Sequence, residues 1–240
     1  MKAMIFAAGR GTRLHPLTET KPKALVEING KPMLQIAIEY LLSYGVDELI
    51  INVHHFADQV IAFLERMKSF NIRIEISDER DLLLDTGGGL KKAAWFFDDQ
   101  PFVLYNVDIL TNLNLNHLFR YHAAHQGIAT LVVRGRESSR YLLFDEQNRL
   151  IGWEKVSTNE KIIKTKASFE TRRAFSGIHI IDPRILKYLP EESKFSIIDA
   201  YLKIAGEQFI YGFVEHESYW FDIGNMEKLQ KARNFMRFRE

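Results

Sequence analysis

Over roughly its first 110 residues the chain alternates apolar runs of strand length with segments of helical spacing, and that alternation admits few folds. Residues 3–6, 48–53, 72–76 and 102–107 read as strands. Between them Leu34, Ala37, Ile38, Leu41 and Leu42, then Val60, Ile61, Phe63, Leu64 and Met67, recur with helical periodicity, and residues 90–97 form a third helical segment. Gly45 closes the first of these helices. Strands alternating with helices predict an α/β fold with a doubly wound, mostly parallel sheet flanked by helices. Ligands of such sheets bind outside the carboxyl ends of the strands.

Beyond residue 110 the rhythm changes. A helix over 115–126 leads to a strand over 128–134, then to a hairpin of 141–144 and 150–153 turning at Asp145-Glu146-Gln147-Asn148. A strand over 174–181, short helices near Arg184 and over 197–204, strands near 209–214 and 219–221, and a closing helix from Asn225 complete the chain. At 240 residues and 46% hydrophobic content, one substantial core is expected, hence a single domain over 1–240.

The charge balance narrows the partners. A formal net charge of +1 with interspersed signs argues against nucleic acid, and no apolar run reaches membrane-spanning length. The N-terminal apolar stretch is short and Arg10 and Arg13 follow it, which argues against a secretory signal and for a cytoplasmic protein. The tail Phe235-Met236-Arg237-Phe238-Arg239 is too short for a membrane helix and reads as helix packing or a subunit contact. The chain has no cysteine, so a metal here would be a hard ion on oxygen ligands.

Six segments carry candidate chemistry. The first strand runs into Ala7-Ala8-Gly9-Arg10-Gly11-Thr12-Arg13-Leu14, followed by Lys21, Lys23 and the helix breakers Pro16, Pro22 and Pro32. Glycines let backbone N–H groups approach an anion, and Arg13 and Lys23 add positive charge, so this is a phosphate-holding loop or, on the plainer reading, a tight turn with a surface arginine. It is neither the dinucleotide fingerprint, since Leu14 occupies the third glycine position, nor a Walker loop, since Gly11-Thr12 replaces Gly-Lys. Asp108, at the end of an apolar strand, is a candidate Mg²⁺ ligand or a turn aspartate, and Asp222 in YWFDIGNMEKL is its candidate partner at the same crevice.

The glycine run in LLLDTGGGLKKA suggests close approach of a flat or anionic ligand to a helix start, or a loop-to-helix turn capped by Asp85 or Thr86. Glu79 or Asp85 offers acceptors for a guanine edge, or is a solvated loop acid. Glu154-Lys155 sets a carboxylate beside an ammonium, useful for a sugar phosphate or mere surface decoration, and Phe175-Ser176-Gly177-Ile178 reads as a sugar contact or a strand with a glycine bulge. His122 and His125 lack metal-spaced partners and read as exposed helix residues.

Together these segments resemble the sugar-1-phosphate nucleotidylyltransferases, whose N-terminal signature is roughly AGGxGTRLxPLT followed by Pro-Lys-Pro and a closing Lys-Pro; the likeness extends through Gly87, Asp108, Glu154-Lys155 and Gly177 to Asp222. Departures are Val107 where the family has Gly before the strand-end Asp, and Ala24 where sugar enzymes have Pro. The resemblance implies a Rossmann-like sheet with a small β-hairpin sugar-binding subregion, residues 1–110 serving mainly the nucleotide and 111–240 mainly the sugar phosphate. It implies catalytic Arg13, Lys23 and Asp108; nucleotide contacts at Ala8, Gly9, Gly11, Thr12, Gly87 and Gly88; sugar-phosphate contacts at Glu154, Lys155, Ser176 and Gly177; and Mg²⁺ on Asp108 and Asp222. NTP and a sugar 1-phosphate would be the partners of a monomer or small homo-oligomer. Compact N-acetylmuramate-1-phosphate uridylyltransferases and mannose- or heptose-1-phosphate guanylyltransferases are the nearest in pattern. A metal-dependent GT-A-like glycosyltransferase, a phosphocholine-type cytidylyltransferase and a non-catalytic nucleotide-sugar sensor are the alternatives.

Overall fold

A computed structural model describes residues 1–67 and 72–238. Its strands are β1 (Lys2–Phe6), β2 (Glu27–Ile28), β3 (Lys31–Pro32), β4 (Glu48–Val53), β5 (Arg73–Asp78), β6 (Phe102–Asn106), β7 (Ile109–Thr111), β8 (Ala129–Arg134), β9 (Arg140–Phe144), β10 (Leu150–Lys155), β11 (Glu160–Ile163), β12 (Thr171–Ile181), β13 (Ile210–Val214) and β14 (Trp220–Asp222). Its helices are α1 (Met33–Ser43), α2 (Ala57–Met67), α3 (Asp85–Lys92), α4 (Leu115–His125), α5 (Ile197–Ile204) and α6 (Met226–Arg237). The alternation read from the sequence is present, and so is the α/β class. The helical segment expected over 90–97 begins earlier, at Asp85, and its last part is a separate single turn, Ala94–Phe96.

The chain forms two compact units. The first comprises Met1–Leu84, Leu104–Leu113 and Tyr219–Glu240. Its strands β1, β4 and β5 are parallel neighbours, in register Phe6↔Asn52 and Val53↔Asp78, and β1 is flanked on its other side by β6. The strand interior is apolar because both faces are covered: every residue of β4 after Glu48 is buried. A second cluster, of Leu14, Val26, Ile28, Met33, Leu110, Ile223, Leu229 and Ala232, seats α6 beside β2 and β7. In the tail, Phe235 packs its ring 5.0 Å from both Tyr219 and Phe221, whereas Phe238 is exposed; Arg239 lies outside the described residues.

The second unit comprises Asp85–Val103 and Asn114–Ser218. Here β9, β10 and β11 form an antiparallel meander, β9 pairs with β12, β12 with β8, and β8 runs parallel to β13. The expected hairpin is β9–β10, with Asn148 at φ 58° in its turn. No helix among the described residues is long and apolar enough to cross a membrane.

Candidate active site

β7 and β14 bring the two aspartates together. Neither strand exceeds three residues, but they pair antiparallel with Asp222 opposite Ile109, and the Ile223 N–H donates to the Asp108 carbonyl at 2.8 Å. Asp108 and Asp222, 114 positions apart in sequence, are therefore brought onto neighbouring strand ends, with Asp108 across from Ile223 and Asp222 across from Ile109. Beneath Asp108, the buried Tyr105 hydroxyl donates to the Ile109 carbonyl at 2.7 Å, bracing the turn. Burial, and then the Asp108 carboxylate, push the Tyr105 hydroxyl above its usual range, so it remains a donor.

Three cations gather on this pair. Lys23, in the single turn Lys23–Leu25 behind Pro22, donates to Asp108 Oδ2, and both side chains are largely withdrawn from solvent. Lys228 donates to Asp222 Oδ2 at 2.8 Å. It is held there because Asn225 caps α6, its side chain accepting the Lys228 N–H at 2.9 Å. A methyl group placed on Gly224 would lie 3.1 Å from both Arg13 Nη2 and Asp222 Oδ1, so the bare glycine keeps the arginine and the carboxylate close. The sequence-expected residues Arg13, Lys23, Asp108 and Asp222 thus cluster; Lys228 was not read from the sequence.

The glycine loop is shaped as expected and anchored in a way that was not. Gly11 sits at φ 65°, and a Cβ there would lie 2.8 Å from Lys23 Cβ, so its glycine is required both by backbone conformation and by the closeness of Lys23. Gly11 O accepts from Thr18 Oγ1 at 2.9 Å and from Leu14 N at 2.8 Å. Gly9 is exposed with open space where a side chain would stand, and Thr12 begins the turn that carries Arg13. The Ala8 N–H, by contrast, donates to the Asn52 side chain, as does that of Ala7.

In the second unit, several of the expected site residues have partners within the chain. The N–H groups of Gly87 and Gly88 donate to Phe195 O at 2.9 and 3.2 Å, and a Cβ on Gly87 would come within 2.3 Å of the Phe195 ring. Chain packing against Phe195 by itself requires the glycine at 87. Asp85, at φ 62°, turns its Oδ1 onto the adjacent Thr86 N–H at 2.6 Å. Glu79, in the first unit, is only 1% exposed, with one oxygen taken by Asn52 Nδ2 and the other by Leu84 N, which rules against the solvated acid and against a free guanine acceptor.

Glu154 and Lys155 are consecutive on β10, so their side chains leave opposite faces and do not form one polar pair. Glu154 is buried and pairs instead with Arg172 Nε at 2.8 Å. Ser176 is fully buried, and the pairing of β12 with β8 shifts register between Phe175 and His179 with Gly177 at φ 77°. The glycine bulge is the observed structure. His122 is also buried, bonded through Nδ1 to Thr130 Oγ1 at 2.9 Å, which corrects its reading as exposed; Leu115, Leu118 and His122 share one buried helix stripe.

Among the described residues no group of three His, Cys, Asp or Glu forms a ready metal cage. Asp108 and Asp222 are hard oxygen donors on neighbouring strand ends, the donor type suited to an ion that keeps water and phosphate oxygens in its shell.

Known proteins match this chain over nearly its whole length. The chain is 31% identical, over 93% of its length, to a mannose-1-phosphate guanyltransferase of Aspergillus fumigatus, and it spans 61% of that relative. It is 30% identical, over 93% of its length and 91% of the relative's, to an N-acetylmuramate alpha-1-phosphate uridylyltransferase of Caulobacter vibrioides. The chain thus spans less than two thirds of the guanyltransferases it matches, and most of the compact uridylyltransferase. In fold it resembles a putative glucose-1-phosphate thymidylyltransferase from Bacillus anthracis, with TM-score 0.83 and 18% identity over 99% of this chain and 95% of that one. The nucleotidyl transferase family model matches residues 2–238, and with the loop, the paired aspartates and the sheet all in place the chain belongs to that family.

Proposed function

We propose that the chain transfers a nucleotidyl group from an NTP, UTP or GTP, to a sugar 1-phosphate, giving an NDP-sugar and pyrophosphate. The observation that carries this reading is the convergence of Asp108 and Asp222 with Lys23, Arg13 and Lys228 beside a glycine loop at the carboxyl end of a parallel sheet. That charge set suits a polyphosphate. An oxygen of the sugar phosphate attacks the α-phosphorus in line; one P–O bond forms, the bond to the β-phosphate oxygen breaks, and the electron pair leaves with pyrophosphate. No covalent nucleophile is needed, because holding the reactants in line and neutralising charge lower the barrier.

Arg13 is assigned to the leaving pyrophosphate oxygens and Lys23 to the α-phosphate, while Gly9, Gly11 and Thr12 hold the phosphates with backbone N–H groups. Asp108 and Asp222 would hold Mg²⁺, which when bound supplies positive charge to the triphosphate oxygens. Lys155 is assigned to the sugar phosphate and Glu154, with Arg172 beside it, to sugar hydroxyls. Gly87 and Gly88 are assigned to the base side by family resemblance. For Ser176 and Gly177 the buried bulge supports a shaping role in β12 rather than direct contact. The substrates set the reaction in the cytoplasm, where NTPs are made.

The test is incubation with Mg²⁺, each of the four NTPs and dTTP, and a panel of hexose, N-acetylhexosamine, N-acetylmuramate and heptose 1-phosphates, with pyrophosphate and product masses followed. Pyrophosphate with one nucleotide and one sugar phosphate is the expected result. Nucleotide-sugar binding without pyrophosphate for any pair would overturn it.

A further inference from the structure

A buried polar strap crosses the carboxyl ends of three parallel strands, and the chemistry assigned above does not use it. Asn52, on β4 opposite Phe6, is 3% exposed. Its Oδ1 accepts the Ala7 N–H at 2.7 Å and the Ala8 N–H at 3.3 Å, the two peptides that lead out of β1 into Gly9. Its Nδ2 donates to Glu79 Oε1 at 2.8 Å. Glu79 follows β5 and is fixed in turn: its N–H donates to Val53 O at 2.8 Å, its carbonyl meets His54 Nδ1 at 2.7 Å, and its Oε2 accepts the Leu84 N–H at 3.1 Å.

Burying a carboxamide and a carboxylate is unfavourable unless each is hydrogen-bonded, and an apolar pair would fill the space without that demand. What a polar pair provides here and an apolar one does not is direction: Asn52 aims two consecutive backbone N–H groups inward at the point where the loop begins. Gly9 and Gly11 make the following chain soft, so the phosphate-binding geometry depends on a fixed starting peptide.

We propose that Asn52 and Glu79 are positioning residues for the phosphate loop, acting through the Ala7 and Ala8 peptides, so that the anion-binding run starts at Gly9 rather than at Ala8. The inference rests on the nucleotidyl-transfer reading. It explains why Ala8, expected to contact the nucleotide, has its N–H turned to Asn52.

The hydrogen-bond polarity of the strap can be reversed without removing it. In N52D the Nδ2 donor becomes an acceptor facing the Glu79 carboxylate; in N52D/E79Q the amide introduced at position 79 donates to the carboxylate introduced at position 52, while acceptors remain for Ala7, Ala8 and Leu84. Binding of UTP and GTP would be measured by calorimetry on the wild type, N52D and the double variant, with KM for nucleotide and for sugar phosphate measured separately. The expected result is nucleotide affinity weakened about tenfold in N52D, with the sugar-phosphate KM unchanged, and most of the loss recovered in N52D/E79Q. A wild type that binds while N52D matches its affinity overturns the inference alone. A folded N52D weakened to the same degree as the double variant also overturns it, since the loss would not depend on the strap's polarity. A wild type that binds neither nucleotide overturns the nucleotidyl-transfer reading and the inference with it. Should N52D fail to fold, the double variant decides: wild-type affinity supports the strap, and weakened affinity overturns it.

Discussion

The N–H of Ile223 donates to the carbonyl of Asp108 at 2.8 Å, and this backbone bond continues the β7–β14 pairing by one residue, fixing the chain at Asp108 against the chain that follows Asp222. With one Mg²⁺ assigned to both Asp108 and Asp222, their variants should not behave independently. Asp108→Ala is expected to lower turnover about a hundredfold or more, because charge stabilisation at the triphosphate is lost while the fold is kept. Adding Asp222→Ala to it should cost much less than the first change did. Steady-state rates, with circular dichroism to establish folding, check this; near-normal turnover of folded Asp108→Ala would remove the residue from the mechanism.

Lys228 sets the electrostatics of Asp222 from α6. Its ammonium opposes any cation approaching the same carboxylate, so Lys228→Gln should tighten Mn²⁺ binding to the protein alone, about three- to tenfold given the screening at a half-exposed position. Electron paramagnetic resonance of free Mn²⁺ during a titration gives the affinity directly. Unchanged or weaker binding would show that Lys228 does not compete there.

Gly224 is where a single methyl should matter. Gly224→Ala forces Arg13 or Asp222 to move by a few tenths of an ångström, and the arginine is the more mobile. About a tenfold fall in kcat/KM is expected with little change in melting temperature.

Gly87→Ala should act on stability. The new Cβ would collide with the Phe195 ring and crowd Phe195 O, and overpacking of this kind costs about 1–3 kcal/mol. Urea denaturation measures it, and Phe195→Leu should relieve part of the loss in the double variant. If Gly87→Ala is fully stable, the packing explanation for this glycine fails.

The core of the second unit should be acid-sensitive. His179 is fully buried, bonded to Tyr201 Oη through Nδ1 at 2.6 Å, and burial lowers its pKa to about 3. In the folded chain it stays neutral, whereas the unfolded chain takes up a proton near its ordinary value of 6.5. The stability contribution is therefore complete above pH 6.5 and is lost as the pH falls below it, with a slope approaching about 1.4 kcal/mol per pH unit. His122, lowered by burial in the same direction, adds to it. Urea midpoints between pH 7.5 and 5 should fall in the wild type and fall less in His179→Gln.

Much of this architecture was legible because buried parallel strands are nearly continuous apolar runs and the packed helices carry one apolar stripe; β4 and α5 match their expected bounds. The loop residues Gly9, Gly11, Arg13 and Lys23 were legible because few other folds tolerate so many glycines and prolines between a strand and a helix. What escaped was set by long-range pairing. β7 has three residues and no periodicity of its own, yet it is the strand that meets β14 and joins the aspartates. Lys228 is an unremarkable helix lysine until α6 is capped against that strand. Reading Glu154 and Lys155 as one pair overlooked strand alternation, a rule available from sequence, just as the spacing of Leu115, Leu118 and His122 already marked the histidine as inward.

The first unit is assembled from three separate stretches of chain, the last beginning at Tyr219, and this gives the site a birth order. A ribosome adds about 5–20 residues per second, so roughly ten seconds pass between synthesis of Asp108 and arrival of Asp222. For that interval the nascent chain carries the glycine loop and one carboxylate, and Leu14 of that loop still lacks Ile223, Leu229 and Ala232, with which it shares a core. Asp222 and Lys228 come with the last stretch of the unit to be made, so the charge cluster is completed late.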